Sequence, residues 1–253
     1  GYNGLVFNHG KVYEAQIRFV RQQMRSFGQG GGPWEQRVIG LIEELIGDWK
    51  ARLGPSGTGL IKTLKNALFH VVNNIFFLML EGNTFKREDP EPPMIQNLLR
   101  GMVLSMGQPM TFLLNACPGL QSIPLLGRLA EQHCLRMGRD YHAFMKTRVA
   151  KARAKWEANP DDDSCILYQL FAEQKRRMAN GDKKVFNDEE VNATAADLVL
   201  GGSESPKNAL LYALCWLAKY PAEEERCQAE LAEKVGRERR VVWSDRPRLP
   251  YLW

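Results

Sequence analysis

Apolar residues recur in this chain every three or four positions and almost nowhere every two, and that spacing restricts it to helices. Val38, Leu41, Ile42, Leu45, Ile46 and Trp49 fall on one helical face. Ile61, Leu64, Leu68, Val71, Ile75 and Leu78 repeat the pattern. Leu129, Met137, Tyr141, Phe144, Met145, Val149, Ala152 and Trp156 set a third and longer stripe. No segment alternates with period two between turn signals, so no central strand is expected and the fold class is all-α.

Four glycine- and proline-rich segments punctuate the stripes: Gly28 to Pro33, Gly54 to Gly59, Asp89 to Pro93 and Asn159 to Asp163. Glycine is too free and proline lacks the donor needed to keep a helix going. None is long enough for a domain linker, so residues 1–253 are expected to form one helical domain. Two later helices carry their own signposts. Asn187 followed three positions on by Glu190 is a capping-box pattern, and that helix should run through Asp197 into Gly201. Pro221 suits a first helical position, and Lys234 with Gly236 suits a helix end.

Hydrophobic residues make up 44% and charged residues 25% of the chain, which excludes a disordered polyelectrolyte. The net charge of +5 is compatible with an acidic protein partner, an anionic membrane surface, nucleic acid or an ordinary solvated surface. Cys117, Cys134, Cys165, Cys215 and Cys227 are odd in number and scattered, without a C-x-x-C pair, so neither a disulfide framework nor a zinc site is expected. His133 beside Cys134 is the wrong spacing for two ligands on one helical face, and no metal site is expected from the chain's own residues. The longest apolar runs, Ile75 to Leu80 and Ala209 to Ala218, fall short of the roughly 20 residues that span a bilayer. The chain opens at Gly1 without a methionine, and a preceding segment is expected.

Chemistry concentrates in Asp197-Leu198-Val199-Leu200-Gly201-Gly202-Ser203-Glu204-Ser205-Pro206. Here an acid and two hydroxyls interrupt an apolar helical stretch beside paired glycines. Pro206 has no N–H for the carbonyl of Gly202, and Ser205 before it is pushed away from helical angles. Local rules favour a helix that stops and restarts with Ser205 as cap. A continuous, kinked helix is the alternative.

Gly201-Gly202-Ser203-Glu204-Ser205 resembles the oxygen-binding motif of the cytochrome P-450 family, Ala/Gly-Gly-x-Asp/Glu-Thr/Ser, within the long central helix of that fold. Phe186-Asn187-Asp188-Glu189-Glu190 resembles the lead-in to that helix in the microsomal, drug-metabolising type. Lys219-Tyr220-Pro221, Gln228-Ala229-Glu230-Leu231, Val235-Gly236-Arg237, Asp245-Arg246 and Leu249-Pro250-Tyr251 continue the family's order. Near the start, His9-Gly10, Tyr13 to Phe19 and Arg25-Ser26-Phe27-Gly28 resemble the helix at the haem edge, which usually carries Trp-x-x-x-Arg. Tyr13 stands at the tryptophan position and Ile17 at the arginine position. The family's Glu-x-x-Arg helix and its Phe-x-x-Gly-x-Arg-x-Cys-x-Gly loop do not occur in these 253 residues.

The resemblance implies the middle helical portion of a mostly helical fold, a single partial domain over 1–253 that lacks the haem-ligand region. It implies haem as cofactor, with Tyr13, Gly201 and Gly202 in its vicinity and no metal-ligating residue in the chain. It implies that Glu204 relays protons and that the Ser205 hydroxyl hydrogen-bonds the bound oxygen; a plain helix cap is the alternative for both. Asp197 and Leu200 would line the pocket for a lipophilic substrate. The activity implied is a monooxygenase that inserts one oxygen atom of O2 into such substrates, with this chain alone inactive. The alternative is a non-catalytic helical lipophile-binding or interaction protein. Arg18, Arg21 and Arg25 form a cationic stripe suited to a flavoprotein reductase, although a solvated face fits equally. Membrane association through other segments, at the cytoplasmic face of the endoplasmic reticulum, is also implied. Arg237, Arg239, Arg240, Arg246 and Arg248 lack accompanying stacking aromatics or a reading helix, so no nucleic-acid binding is expected. Against the local rules, the apolar residues Leu198, Ala209, Leu210, Ala213, Leu214 and Leu217 on both sides of Pro206 favour one buried, continuous helix. Ser205 would then face the oxygen groove rather than solvent.

Overall fold

The computed structural model describes residues 4–28, 32–53, 64–117, 119–120, 123–124 and 136–252. Among them the secondary structure is helical without strands, as the three-and-four spacing predicts. The helices are α1 (Gly10–Gly28), α2 (Pro33–Leu53), α3 (Leu64–Glu81), α4 (Glu91–Met106), α5 (Pro109–Ala116), α6 (Arg136–Ala158), α7 (Ile166–Ala179), α8 (Asp188–Lys219) and α9 (Pro221–Lys234). A 3-10 turn, Trp243–Arg248, follows α9. Ile61, Leu129, His133 and Cys134, and residues 29–31 and 54–63 where loops are expected, lie outside the described residues.

The chain divides into two compact units. The first comprises Gly1–Phe19 with Leu80–Gly201, and the second Val20–Met79 with Gly202–Trp253. Three helices (α1, α3 and α8) run through the three divisions, so none of these is a linker.

In the first unit α6 packs on both α4 and α7. Of the expected α6 stripe, Tyr141, Met145, Val149, Ala152 and Trp156 are buried, while Met137 and Phe144 are half-buried. They meet a core of Ile95, Leu99, Leu167, Leu170 and Phe171. Gly101 allows close approach on α4: a Cβ there would lie 2.3 Å from Met137 Cε. Arg148 is held by Glu81 at 2.6 Å and Glu91 at 3.0 Å, with the Phe85 ring 5.0 Å from its guanidinium carbon. The expected loop at Asp89 to Pro93 is shorter than its prolines suggest. The helix already begins at Glu91, with Pro92 and Pro93 in its first turn, where a missing N–H costs nothing.

In the second unit α3 is the central element. From Leu68 to Leu78 it is buried on nearly every side, including Phe69, Val72, Phe76 and Phe77. Two asparagines, Asn73 and Asn74, are buried within it as well. Leu45 of α2 joins Leu68 and Val71 in a cluster onto which Trp49, Ile75 and Leu211 pack. Phe76 meets Gly202 and Phe69 lies by Lys207, so α3 and the second half of α8 run antiparallel here. Pro221 occupies the first turn of α9, and Gly236, at φ +83°, donates to the Leu231 carbonyl at 3.1 Å, both as the sequence signals.

The helix α8 is continuous from Asp188 to Lys219 with Pro206 inside it. The stop-and-restart favoured by local rules does not occur. The apolar stripe expected to bury the helix beyond Pro206 is mostly exposed, however. Leu198 is buried, but Leu210 is 48% exposed, Leu214 38%, and Ala209 and Ala213 are exposed too. Among the stripe residues beyond Pro206 only Leu217 is half-buried. Burial on that side comes instead from Ser203, Lys207 and Leu211, the face turned to α3.

Candidate functional site on the long helix

The start of α8 is fixed as its sequence suggests, with one departure. The Glu190 amide donates to Asn187 Oδ1 at 2.9 Å, which caps the helix. The reciprocal half of the capping box is not made. The buried Glu190 carboxylate instead accepts from the Gly4 amide (3.1 Å), Asn8 Nδ2 (2.7 Å) and Gln16 Nε2 (2.8 Å). Two turns on, Asp197 Oδ2 accepts from the Val6 amide at 2.9 Å. Two carboxylates on one face of α8 thus hold the chain segment 4–8 against it. Gly4 is required there: its φ is +97°, and a Cβ would lie 2.9 Å from Ala193 Cβ and 2.6 Å from Asp197 Oδ2.

Burial raises the Asp197 carboxyl above the ordinary aspartate range; its bond to Val6 works the other way, and the charge of Glu190 adds to the rise. Tyr141 donates to the Ala196 carbonyl at 2.5 Å, and burial with the nearby Asp197 charge keeps its phenol protonated. Leu200, the other expected pocket residue, is half-buried.

Gly201 and Gly202 have different surroundings. Nothing lies within 4 Å of a Cβ built at Gly201, which is exposed. At Gly202 that Cβ would sit 2.1 Å from Phe76 Cε2, inside the ring's own volume. Gly202 is therefore a packing glycine for the α3 crossing. Only Gly201 leaves open space of the kind a large flat group requires. Ser203 is fully buried, and its hydroxyl finds no partner among the described residues. Glu204 pairs with Lys207 one turn on, a contact invisible to the motif alone. Ser205 is exposed, which does not meet the expectation that it is turned away from solvent. It lies one turn after Gly201, so these two positions make an open stripe along α8.

On α1, Tyr13 and Ile17 are half-buried, and Arg18, Arg21 and Arg25 are exposed. The later arginines are largely engaged internally. Arg239 makes two bonds of 2.6 Å to Asp245, and Arg240 reaches Glu43 at 2.8 Å. The Arg239 bonds, with the Val242 amide, bring the Asp245 carboxyl down to about 2. No cluster of His, Cys, Asp and Glu suited to a metal ion occurs among the described residues. None of the described helices is long and apolar enough to cross a membrane.

A family model described as Cytochrome P-450 matches residues 2–253. The chain belongs to the cytochrome P-450 family. It is 29% identical to cytochrome P-450 2J5 of Mus musculus over 252 residues, covering 99% of this chain and 48% of that protein. It is 24% identical to cytochrome P-450 2U1 of Rattus norvegicus over 250 residues, 98% of this chain and 45% of the other. For cytochrome P-450 2F3 of Capra hircus the figures are 26% over 259 residues, 98% and 48%. The chain thus spans about half the length of the curated relatives it matches. The cofactor of this family is haem.

The residues present meet the needs of haem only in part. The open stripe at Gly201 and Ser205 gives close access. Ile17 offers no charge or hydrogen bond to a propionate, and Tyr13 offers one hydroxyl. Cys165 is buried, and burial pushes its thiol up to about 12, so it does not present a thiolate. Cys117 and Cys215 are exposed and Cys227 is half-buried, none of them in the family's cysteine-loop sequence. The donor set for the iron is not assembled by these residues.

Proposed function

We propose that this chain is the central part of a haem-thiolate monooxygenase that oxidises lipophilic organic compounds with O2. The observation that carries this reading is the family match over residues 2–253, with the motif Gly201 to Ser205 on an α8 that continues through its proline. When bound, haem supplies the redox chemistry. The part of α8 is to offer an open face at Gly201, a hydroxyl donor at Ser205 and a carboxylate at Glu204 that carries protons from solvent. Leu200 gives apolar wall for substrate. Asp197 shapes that wall indirectly, because its carboxylate is engaged by the Val6 amide. Arg18, Arg21 and Arg25 suit an acidic reductase partner, and association with the endoplasmic reticulum membrane, facing the cytoplasm, goes with the same reading.

The 253 residues alone are expected to be inactive. Mixed with haem and reduced under carbon monoxide, they should give no thiolate-type Soret band. A longer protein that contains them and continues through a cysteine loop should give that band, and should oxidise a lipophilic substrate when a flavoprotein reductase is added. Absence of the band from the longer protein would sink the monooxygenase reading; its presence in the short one would make one of the five cysteines a ligand. The second reading, a non-catalytic lipophile-binding protein, is favoured by Ile17 at the propionate position and by the exposed Ser205. It predicts lipophile binding without turnover in the longer protein.

A further inference from the structure

Lys207 is the one ammonium-bearing side chain among the described residues that is fully buried, at 1% exposure. It lies on the face of α8 turned to α3, one turn after Ser203, with its nitrogen 5.7 Å from the centre of the Phe69 ring. Its ionic partner is Glu204, one turn back on the same helix, whose side chain is 22% exposed. A charge in such a place is tolerable only if paired, and the ring face adds a weaker attraction. Glu204 is thereby drawn toward Lys207 and Phe69, while Ser205, one residue on, is rotated about 100° round the helix. The acid and the alcohol of the motif point to different sides.

We propose that Lys207 is a positioning residue that binds the Glu204 carboxylate and withholds it from solvent. Glu204 serves as a proton carrier only in molecules where this pair has opened. The inference rests on the reading of Glu204 as proton carrier given above, but its test does not require haem or turnover. Failure of one therefore leaves the other standing.

Carbodiimide coupling of an amine probe to the carboxylates of the 253-residue chain, quantified residue by residue by mass spectrometry, reads the pair directly. In the wild type Glu204 should couple more slowly than the exposed Glu189 of the same helix. Lys207→Met should raise the Glu204 rate about fivefold relative to Glu189, the scale of a single ion pair's coupling. Lys207→Arg should restore protection. Should Lys207→Met fail to keep its helical circular dichroism, Glu204→Gln gives the reciprocal reading. There, acetylation of Lys207 should rise by a similar factor relative to Lys219, because the ammonium has lost its counter-charge. An unchanged Glu204 rate in a folded Lys207→Met, or an unchanged Lys207 rate in Glu204→Gln, would overturn the proposal.

Discussion

The two halves of α8 have similar apolar content and opposite surroundings. From Val191 to Val199 the helix is enclosed: Val191, Ala195 and Val199 are wholly buried, and two carboxylates fasten the segment 4–8 along one side. Beyond Pro206, Tyr212 is 75% exposed and Trp216 59%, and only the narrow face with Lys207 and Leu211 is covered. Continuity of a helix is thus a different matter from its burial. Backbone hydrogen bonds and one covered face carry α8 past a proline without a matching core on every side.

Substitutions on either side of the proline test that contrast, and the largest effect is expected at the crossing itself. Glu204→Gln leaves the buried Lys207 ammonium unpaired and should cost about 3–5 kcal/mol in urea unfolding. Lys207→Met should cost far less, because a glutamate left at 22% exposure can hydrate. Equal losses would mean that the pair is not asymmetric in burial. Next, Leu198→Ala in the enclosed half should cost about 2–3 kcal/mol, whereas Leu210→Ala in the open half should stay within about 0.5 kcal/mol. Similar values for the two would remove the contrast. Pro206→Ala restores an N–H to the Gly202 carbonyl and should raise stability, by at most about 3 kcal/mol, with helix content unchanged.

The smallest effect is one of pH. Burial holds the Asp197 carboxyl above its unfolded range, so in that window the folded chain binds the extra proton. Stability therefore falls as pH rises from the unfolded aspartate value of 3.8 through the raised one, and the penalty is complete above it. Asp197→Asn keeps an acceptor for Val6 and should abolish that decline, matching the wild type at the acid end. Asp245 acts oppositely: its stabilisation is present above 3.8 and is lost as pH falls through about 2. A wild-type profile without the Asp197 decline would show that the carboxylate ionises as freely folded as unfolded.

Ends of helices were more legible than their sides. Asn187 and Gly236 act through bonds to residues three and five positions away, and Pro221 through its own missing N–H, so a short stretch of sequence contains the whole cause. Gly202 looked like its neighbour Gly201, because the ring that fills its missing side chain comes from Phe76, over a hundred residues earlier. Lys207 looked like an ordinary helix lysine, since nothing local reveals that Phe69 closes over it. The apolar stripe from Ala209 to Leu217 has the spacing of a buried face, but periodicity identifies a face and not what covers it. Glu190 matched a capping box by spacing, while three donors from the first sixteen residues competed for its carboxylate and won.

The fastening of the segment 4–8 has a consequence for how it leaves. Gly4 and Asn8 donate to Glu190, Val6 donates to Asp197, and Gly4 also wedges into the notch beside Ala193. Losing Gly4 or Asn8 takes a donor from the buried Glu190 carboxylate that both share, and losing Val6 takes one from the half-buried Asp197, so partial detachment is poorly compensated. The segment should peel off as one piece, in an all-or-none step that deuterium exchange at the Gly4 and Val6 amides would report with a common rate.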